Sequence, residues 1–233
     1  MPGRLILWDI DGTLVRAGQI AADVFATAVE HAVGRHPGEH GVRMGGKTDP
    51  QIALEILASM GIETGHDHLP LVLGRLEADL AGAVDLMREV GTVLPGVREV
   101  LARLDAEPGV TQTVLTGNTA AKAATKLAAF DLDRWLDLEI GAFGSDNADR
   151  LQLVPVALQR TAERRGRHFD VEDVWVVGDT VHDLACARAA GARCALVRTG
   201  ARPAELDSVD ADAVLDDLSD VDSVVKLLAT SDR

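Results

Sequence analysis

The sequence predicts an α/β fold in three layers, a parallel sheet between helices, with an all-helical cap inserted after the first strand. Three observations predict it. Short apolar runs such as Leu5-Ile6-Leu7-Trp8 and Val174-Trp175-Val176-Val177 are continuous rather than alternating, as in strands buried on both faces. Ala- and Leu-rich stretches with helical spacing separate these runs, and repeated strand-helix alternation implies a parallel sheet covered on both sides. Between residues 15 and 90 the alternation stops, leaving helical patterns with no convincing buried strand.

Taken in order, the first strand, residues 5–8, ends at the turn-forming stretch Asp9-Ile10-Asp11-Gly12-Thr13. Helical spacing follows at 21–33, 51–60 and 69–88, and the loop 91–96, with Pro95, returns the chain to the core. Beyond it the pattern reads helix 97–104, strand 113–115, helices 119–129 and 151–164, strand 174–177, helix 183–190 and strand 195–197, with a weaker strand at 213–215. These spans predict a core of residues 1–14 and 92–233 and a helical cap of residues 15–91. The acidic segment 205–222 reads as a solvated C-terminal edge.

Composition bounds the partners. A chain of 233 residues with 47% hydrophobic content can bury one substantial core with a smaller insert. Aromatic residues make up 3%, with no Tyr, so Leu, Val, Ile and Ala must fill that core. A formal net charge of -14 argues against nucleic acid or anionic membrane as partner, since both attract a basic surface. Cys186 and Cys194 lack the spacing of a zinc site and read as inert thiols. With no leader-like start and no apolar run of about 20 residues, a soluble, cytoplasmic setting is the default expectation.

Three strand ends deliver polar residues: Asp9 and Asp11 after the first, Thr116-Gly117-Asn118 after the second, and Gly178-Asp179-Thr180 with Asp183 after the Val-rich strand. In an open parallel sheet the ligand crevice lies beyond the carboxyl ends of the strands, so these groups are expected to converge. Each alone has a plain structural reading, because Asp-Gly and Thr-Gly-Asn form loops and Asp179-Thr180 caps a helix. Together, four carboxylates at one crevice repel one another unless a cation neutralises them. Oxygen donors of this kind favour magnesium.

The arrangement resembles the haloacid dehalogenase superfamily of phosphohydrolases, and its members of the phosphoglycolate-phosphatase type that carry a helical cap. The matching pieces are the strand into Asp9-Ile10-Asp11-Gly12-Thr13, then Leu115-Thr116-Gly117-Asn118, then Val177-Gly178-Asp179-Thr180-Val181-His182-Asp183. That resemblance implies a Rossmann-like core and a phosphoric monoester hydrolase acting on a small phosphorylated metabolite. By it, Asp9 attacks phosphorus and becomes an aspartyl phosphate, while Asp11 protonates the leaving oxygen and then activates water. Magnesium would be held by Asp9, the Asp11 main-chain carbonyl and Asp179, with Asp183 a ligand or a support. Thr116, Gly117 and Asn118 would bind phosphate oxygens. The family's usual Lys is missing, and Arg150 stands where it is expected. Lys122 and Lys126 are the rivals, although lysines on a helix are commonly solvated. A mutase on the same scaffold and a non-catalytic phospholigand-binding protein are the alternatives.

A second motif competes. Residues 41–48, Gly-Val-Arg-Met-Gly-Gly-Lys-Thr, satisfy the pattern of a nucleotide-binding P-loop, yet residues 34–40 before them contain no strand. The same segment reads equally as a Gly-rich link or as a substrate-facing cap loop in which Lys47 or Arg43 meets an anionic substrate. His66, His68 and His182 receive no catalytic role.

Overall fold

In a computed structural model that describes residues 3–17 and 20–230, six parallel strands form one sheet. They are β1 (Arg4–Trp8), β4 (Val110–Thr116), β5 (Ala142–Phe143), β6 (Val174–Gly178), β7 (Arg193–Val197) and β8 (Ala213–Leu215), and their spatial order is β5-β4-β1-β6-β7-β8. β1 therefore lies between β4 and β6, and the chain switches sides of β1 in passing from one to the other. A crevice opens at such a switch point. The outermost positions of the expected core, 1–2 and 231–233, and cap positions 18–19 lie outside the described residues.

The unbroken apolar runs follow from burial on both faces. Ile6 and Trp8 of β1, with Trp175 and Val177 of β6, join one apolar cluster, while Leu5, Leu7, Val174 and Val176 join the other. Each such side chain removed from water contributes about 1.5–3 kcal/mol. Helices α5 (Val97–Asp105), α6 (Ala120–Ala129) and α9 (Val221–Ala229) contribute to the first cluster, and α7 (Leu153–Arg165) and α8 (Val181–Ala190) to the second.

The inserted segment holds α1 (Ile20–Val33), α2 (Asp49–Ser59), α3 (Gly65–Gly82) and α4 (Val84–Val90). Phe25, Ala28 and Val29 of α1 pack with Val72 and Leu76 of α3 in the cluster that also lines the upper face of the sheet. Where the chain leaves and re-enters the core, β2 (Val15–Arg16) pairs antiparallel with β3 (Thr92–Val93), Val15 opposite Val93.

Some elements differ from the sequence expectation. The helix expected at 69–88 starts at Gly65 and divides at Ala83, where φ is -101° and ψ 11°. The acidic tail is not wholly a solvated edge: Asp220 accepts from the Ser223 amide at 3.3 Å and starts α9, which buries Val224, Val225 and Leu228. Cys186 and Cys194 are buried and unbridged, and burial pushes the Cys186 thiol up to about 12. No helix among the described residues is long and apolar enough to cross a membrane.

Candidate active site

Asp9 closes the central strand. Its amide donates to the Val177 carbonyl at 2.8 Å, and the residue is 5% exposed. The chain then turns through Gly12, whose φ of +84° suits glycine alone. The turn also needs the missing side chain, because a Cβ on Gly12 would stand 2.5 Å from Asp179 Oδ2. Thr13 Oγ1 donates to Asp179 Oδ1 at 3.4 Å, so the first strand's loop steadies a carboxylate delivered by β6.

Asp9, Asp179 and Asp183 each present a carboxylate oxygen within 4.8 Å of the others, and all three are buried. Burial pushes Asp9 up to about 6, opposed by Arg150 and reinforced by Asp183 and Asp11. Burial, followed by repulsion from Asp9, Asp183 and Asp11, pushes Asp179 up to about 8. A pair of carboxyls so reluctant to ionise is a site short of positive charge. The all-oxygen donor set fits a hard divalent cation. Asp183 is already engaged: it accepts from the Thr180 amide at 3.0 Å, from Thr180 Oγ1 at 2.7 Å and from Arg150 at 2.5 Å. Those three donors engage both of its carboxylate oxygens.

Arg150 lies in a single 3-10 turn ahead of α7, started by Asp149, whose side chain accepts from the Leu151 amide. One guanidinium nitrogen reaches Asp9 Oδ1 at 3.1 Å and Asp183 Oδ1 at 2.5 Å. Burial works against its charge, but Asp183 and Asp9 outweigh that and hold it protonated. Its buried Nε has no hydrogen-bond partner.

The two lysines of α6 correct the expectation that they are solvated: Lys122 is 2% exposed and Lys126 1%. Four residues apart, they share one helix face, and that face meets the crevice and the cap rather than water. Lys126 Nζ reaches Asp11 Oδ1 at 2.7 Å and Oδ2 at 2.6 Å, and Asn118 Oδ1 at 2.8 Å. Asn118 Nδ2 in turn donates to Asp11 Oδ2 and to Thr116 Oγ1, both at 2.8 Å. Loss of hydration works to raise the Asp11 carboxyl, but the Lys126 charge, with the bonds from Lys126 and Asn118, holds it below the usual carboxylate range. Lys122 Nζ sits 2.7 Å from Asp49 Oδ1 and 4.9 Å from the centre of the Phe25 ring. Burial is the main cause that lowers its pKa.

The loop that matches the P-loop pattern belongs to the cap and is laid onto the Thr116-Gly117-Asn118 loop of the core. No strand precedes it. The Asp49 amide donates to the Gly117 carbonyl at 2.7 Å, the Thr119 amide donates to Asp49 Oδ2 at 2.8 Å, and Thr48 Oγ1 donates to the Ala148 carbonyl at 2.8 Å. The contact is so close that a Cβ on Gly117 would lie 2.0 Å from the Lys47 carbonyl oxygen. Lys47 itself is ion-paired with Glu55. His182 packs under Gly46, and the metal-type cluster among the described residues contains no histidine. Asp49 escapes a reading of the sequence because Thr-Asp-Pro is an ordinary helix start, and Thr48 does cap α2.

These groups enclose a cavity of about 240 Å³. The core contributes Asp9, Asp11, Thr116, Gly117, Asn118, Lys126, Arg150 and Asp179, and Lys47 lines it from the cap loop. Asp183 stands behind the wall, braced against Arg150.

The fold and this constellation have relatives. A protein of Caldanaerobacter subterraneus subsp. tengcongensis with the provisional name pyrophosphatase PpaX is 28% identical over 212 residues, 86% of this chain and 84% of its own. A plasmid-borne phosphoglycolate phosphatase of Cupriavidus necator is 28% identical over 232 residues, 94% of this chain and 91% of its own. Among solved structures, CbbY from Rhodobacter sphaeroides in complex with phosphate superimposes with a TM-score of 0.68 at 18% identity, over 94% of this chain and 96% of that one. The family model for haloacid dehalogenase-like hydrolases matches residues 6–188, from β1 through most of α8, and the chain belongs to that family.

Proposed function

We infer that the protein hydrolyses small phosphate monoesters in a magnesium-dependent reaction that passes through an aspartyl phosphate on Asp9. The observation that carries this reading is the Asp9 carboxylate, buried at the end of the central strand between Arg150 and the raised carboxyl of Asp179. The phosphatase names of its relatives support it.

In this reading Asp9 forms the bond to phosphorus, and the leaving oxygen departs on the opposite side. The buried Nε of Arg150, which lacks a partner, is a donor for a phosphate oxygen, with Thr116 Oγ1 and the Gly117 amide as further donors, while the Asn118 amide donates to Thr116 Oγ1 at 3.4 Å. Asp183 holds the Arg150 fork toward Asp9. Asp11 serves as acid and then base: turning its carboxyl away from Lys126 toward the leaving oxygen removes the charge that depresses its pKa, as an acid requires. Asp9, Asp179 and the Asp11 main-chain carbonyl would hold magnesium, which would supply charge that offsets repulsion between carboxylate and phosphate. Lys126, rather than replacing the family's Lys at phosphate, holds Asp11; that replacement falls to Arg150. We take residues 15–91 as the cap, since the paired crossings β2 and β3 stand at those limits.

The test is phosphate release from a panel of phosphate monoesters with magnesium. Wild type is expected to turn over, Asp9→Asn to be folded and inactive. Activity of Asp9→Asn at the wild-type level would refute the nucleophile.

A further inference from the structure

The cap half of the cavity carries a second kind of information. Phe25, Met44 and Ile52 from the cap, with Val15 and Ala17 from the crossing, form an apolar wall over the phosphate-facing groups. The volume of about 240 Å³ lies below the ~300–1,000 Å³ usual for drug-sized ligands, and much of it is needed for the phosphoryl group.

The cations that line the cavity are already matched to carboxylates. Lys126 is taken by Asp11, Arg150 by Asp9 and Asp183, Lys122 by Asp49 and Lys47 by Glu55. Arg16 is the exception: it is exposed, and its guanidinium donates to the Thr199 carbonyl at 2.7 Å. The Lys122–Asp49 pair matters most, because its side chains are 3% and 5% exposed and both line the cavity. Arg16 stands at the exposed crossing, away from the buried pair; against the inner wall, a second anionic group on the substrate would have to draw Lys122 from Asp49 and leave that carboxylate buried without its cation, or else lose its own hydration unmatched. Either course is costly.

The geometry points to a substrate whose leaving group is short and uncharged, a phosphate ester with hydroxyl or hydrocarbon character and no second acidic group, with Asp49 and Lys122 as the residues that set this choice. The inference rests on the phosphatase reading above and narrows it: an ester bearing a carboxylate, such as phosphoglycolate, is disfavoured by this wall.

The experiment compares 2-hydroxyethyl phosphate with carboxymethyl phosphate, esters of nearly equal length that differ in the charge of the leaving group, with propyl phosphate as a third. In wild type with magnesium, kcat/KM is expected to favour the two uncharged esters at least tenfold, mainly through KM. Asp49→Asn, which releases the Lys122 ammonium, is expected to shrink the ratio between the matched esters at least fivefold, and Lys122→Met to keep or widen it. Because a ratio does not depend on the folded fraction, partial misfolding of a variant does not alter the reading. Equal or greater kcat/KM for carboxymethyl phosphate overturns the inference, the more so if Arg16→Gln abolishes that preference; a ratio left in place by Asp49→Asn overturns the role of the pair. Release of no phosphate from any ester defeats the phosphatase reading itself.

Discussion

Lys126 sets its ammonium against both carboxylate oxygens of Asp11, at 2.7 and 2.6 Å, so the expected acid-base group is gripped by a cation from the neighbouring strand's helix. Asn118 completes the grip and ties it to Thr116 at the end of β4.

Replacing Lys126 by Met should therefore lower kcat more than it raises KM. General acid-base catalysis contributes about 10²–10⁴-fold, so Asp11→Asn is expected to lose that much on alkyl esters, and Lys126→Met, which leaves Asn118 alone to aim the carboxyl, a part of it. Steady-state rates on alkyl and aryl phosphates check this. An aryl leaving group needs less protonation and should suffer less, whereas a merely structural defect would slow both alike.

Arg150 faces two buried carboxylates at once, and removing it leaves both without a cation. Breaking a buried pair by deleting one partner costs about 3–5 kcal/mol, so Arg150→Ala should lower the melting temperature and the activity severely. Arg150→Lys keeps a charge but not a two-pronged donor and is expected to retain part of each. Thermal unfolding with activity assays of the two variants decides it. Equal losses would mean that the guanidinium shape matters more than its charge.

The raised carboxyls of Asp9, about 6, and Asp179, about 8, give the metal-free protein a definite pH dependence. In the unfolded chain both are ionised above about 4. In the folded chain they keep protons through the interval above that, so folding binds protons there. Stability from these two groups is full below the unfolded value and is lost as pH rises through 6 and then 8. Magnesium needs both carboxylates ionised, so its stabilising shift should grow from pH 6 to pH 8. Melting curves across that range with and without magnesium test this; a shift that is constant with pH contradicts it.

Gly117→Ala places a carbon where the Lys47 carbonyl oxygen stands, 2.0 Å from the ideal Cβ. The cap loop and the phosphate-facing loop must then separate. KM for any ester should rise and the segment around residue 45 should become more susceptible to proteolysis, both measurable on the purified variant.

The core was legible in the sequence for a physical reason. β1 and β6 bury alternate residues in two different clusters, so their runs contain no polar interruption until the strand ends, and the first polar residues after them are Asp9 and Asp179. β5, two residues long, offers no such pattern, and α9 follows a stretch whose acidity conceals its Val224, Val225 and Leu228 face. The placement of Arg150 was legible because one basic residue precedes α7. The work of Lys122 and Lys126 was not, since their burial comes from a cap that folds across α6 from far away in the chain. For the same reason Asp49 looked like no more than the beginning of a helix.

The ribbon formed by β2 and β3 has a mechanical consequence. Two crossings fastened side by side tie the exit and the return of the inserted segment into one ribbon, as two leaves share one pin. Arg16 on that ribbon holds the Thr199 carbonyl, and Thr199 Oγ1 donates to the Gly12 carbonyl at 2.6 Å. The strand by which the chain leaves the core and the turn that follows Asp11 are thus moored to one shared threonine.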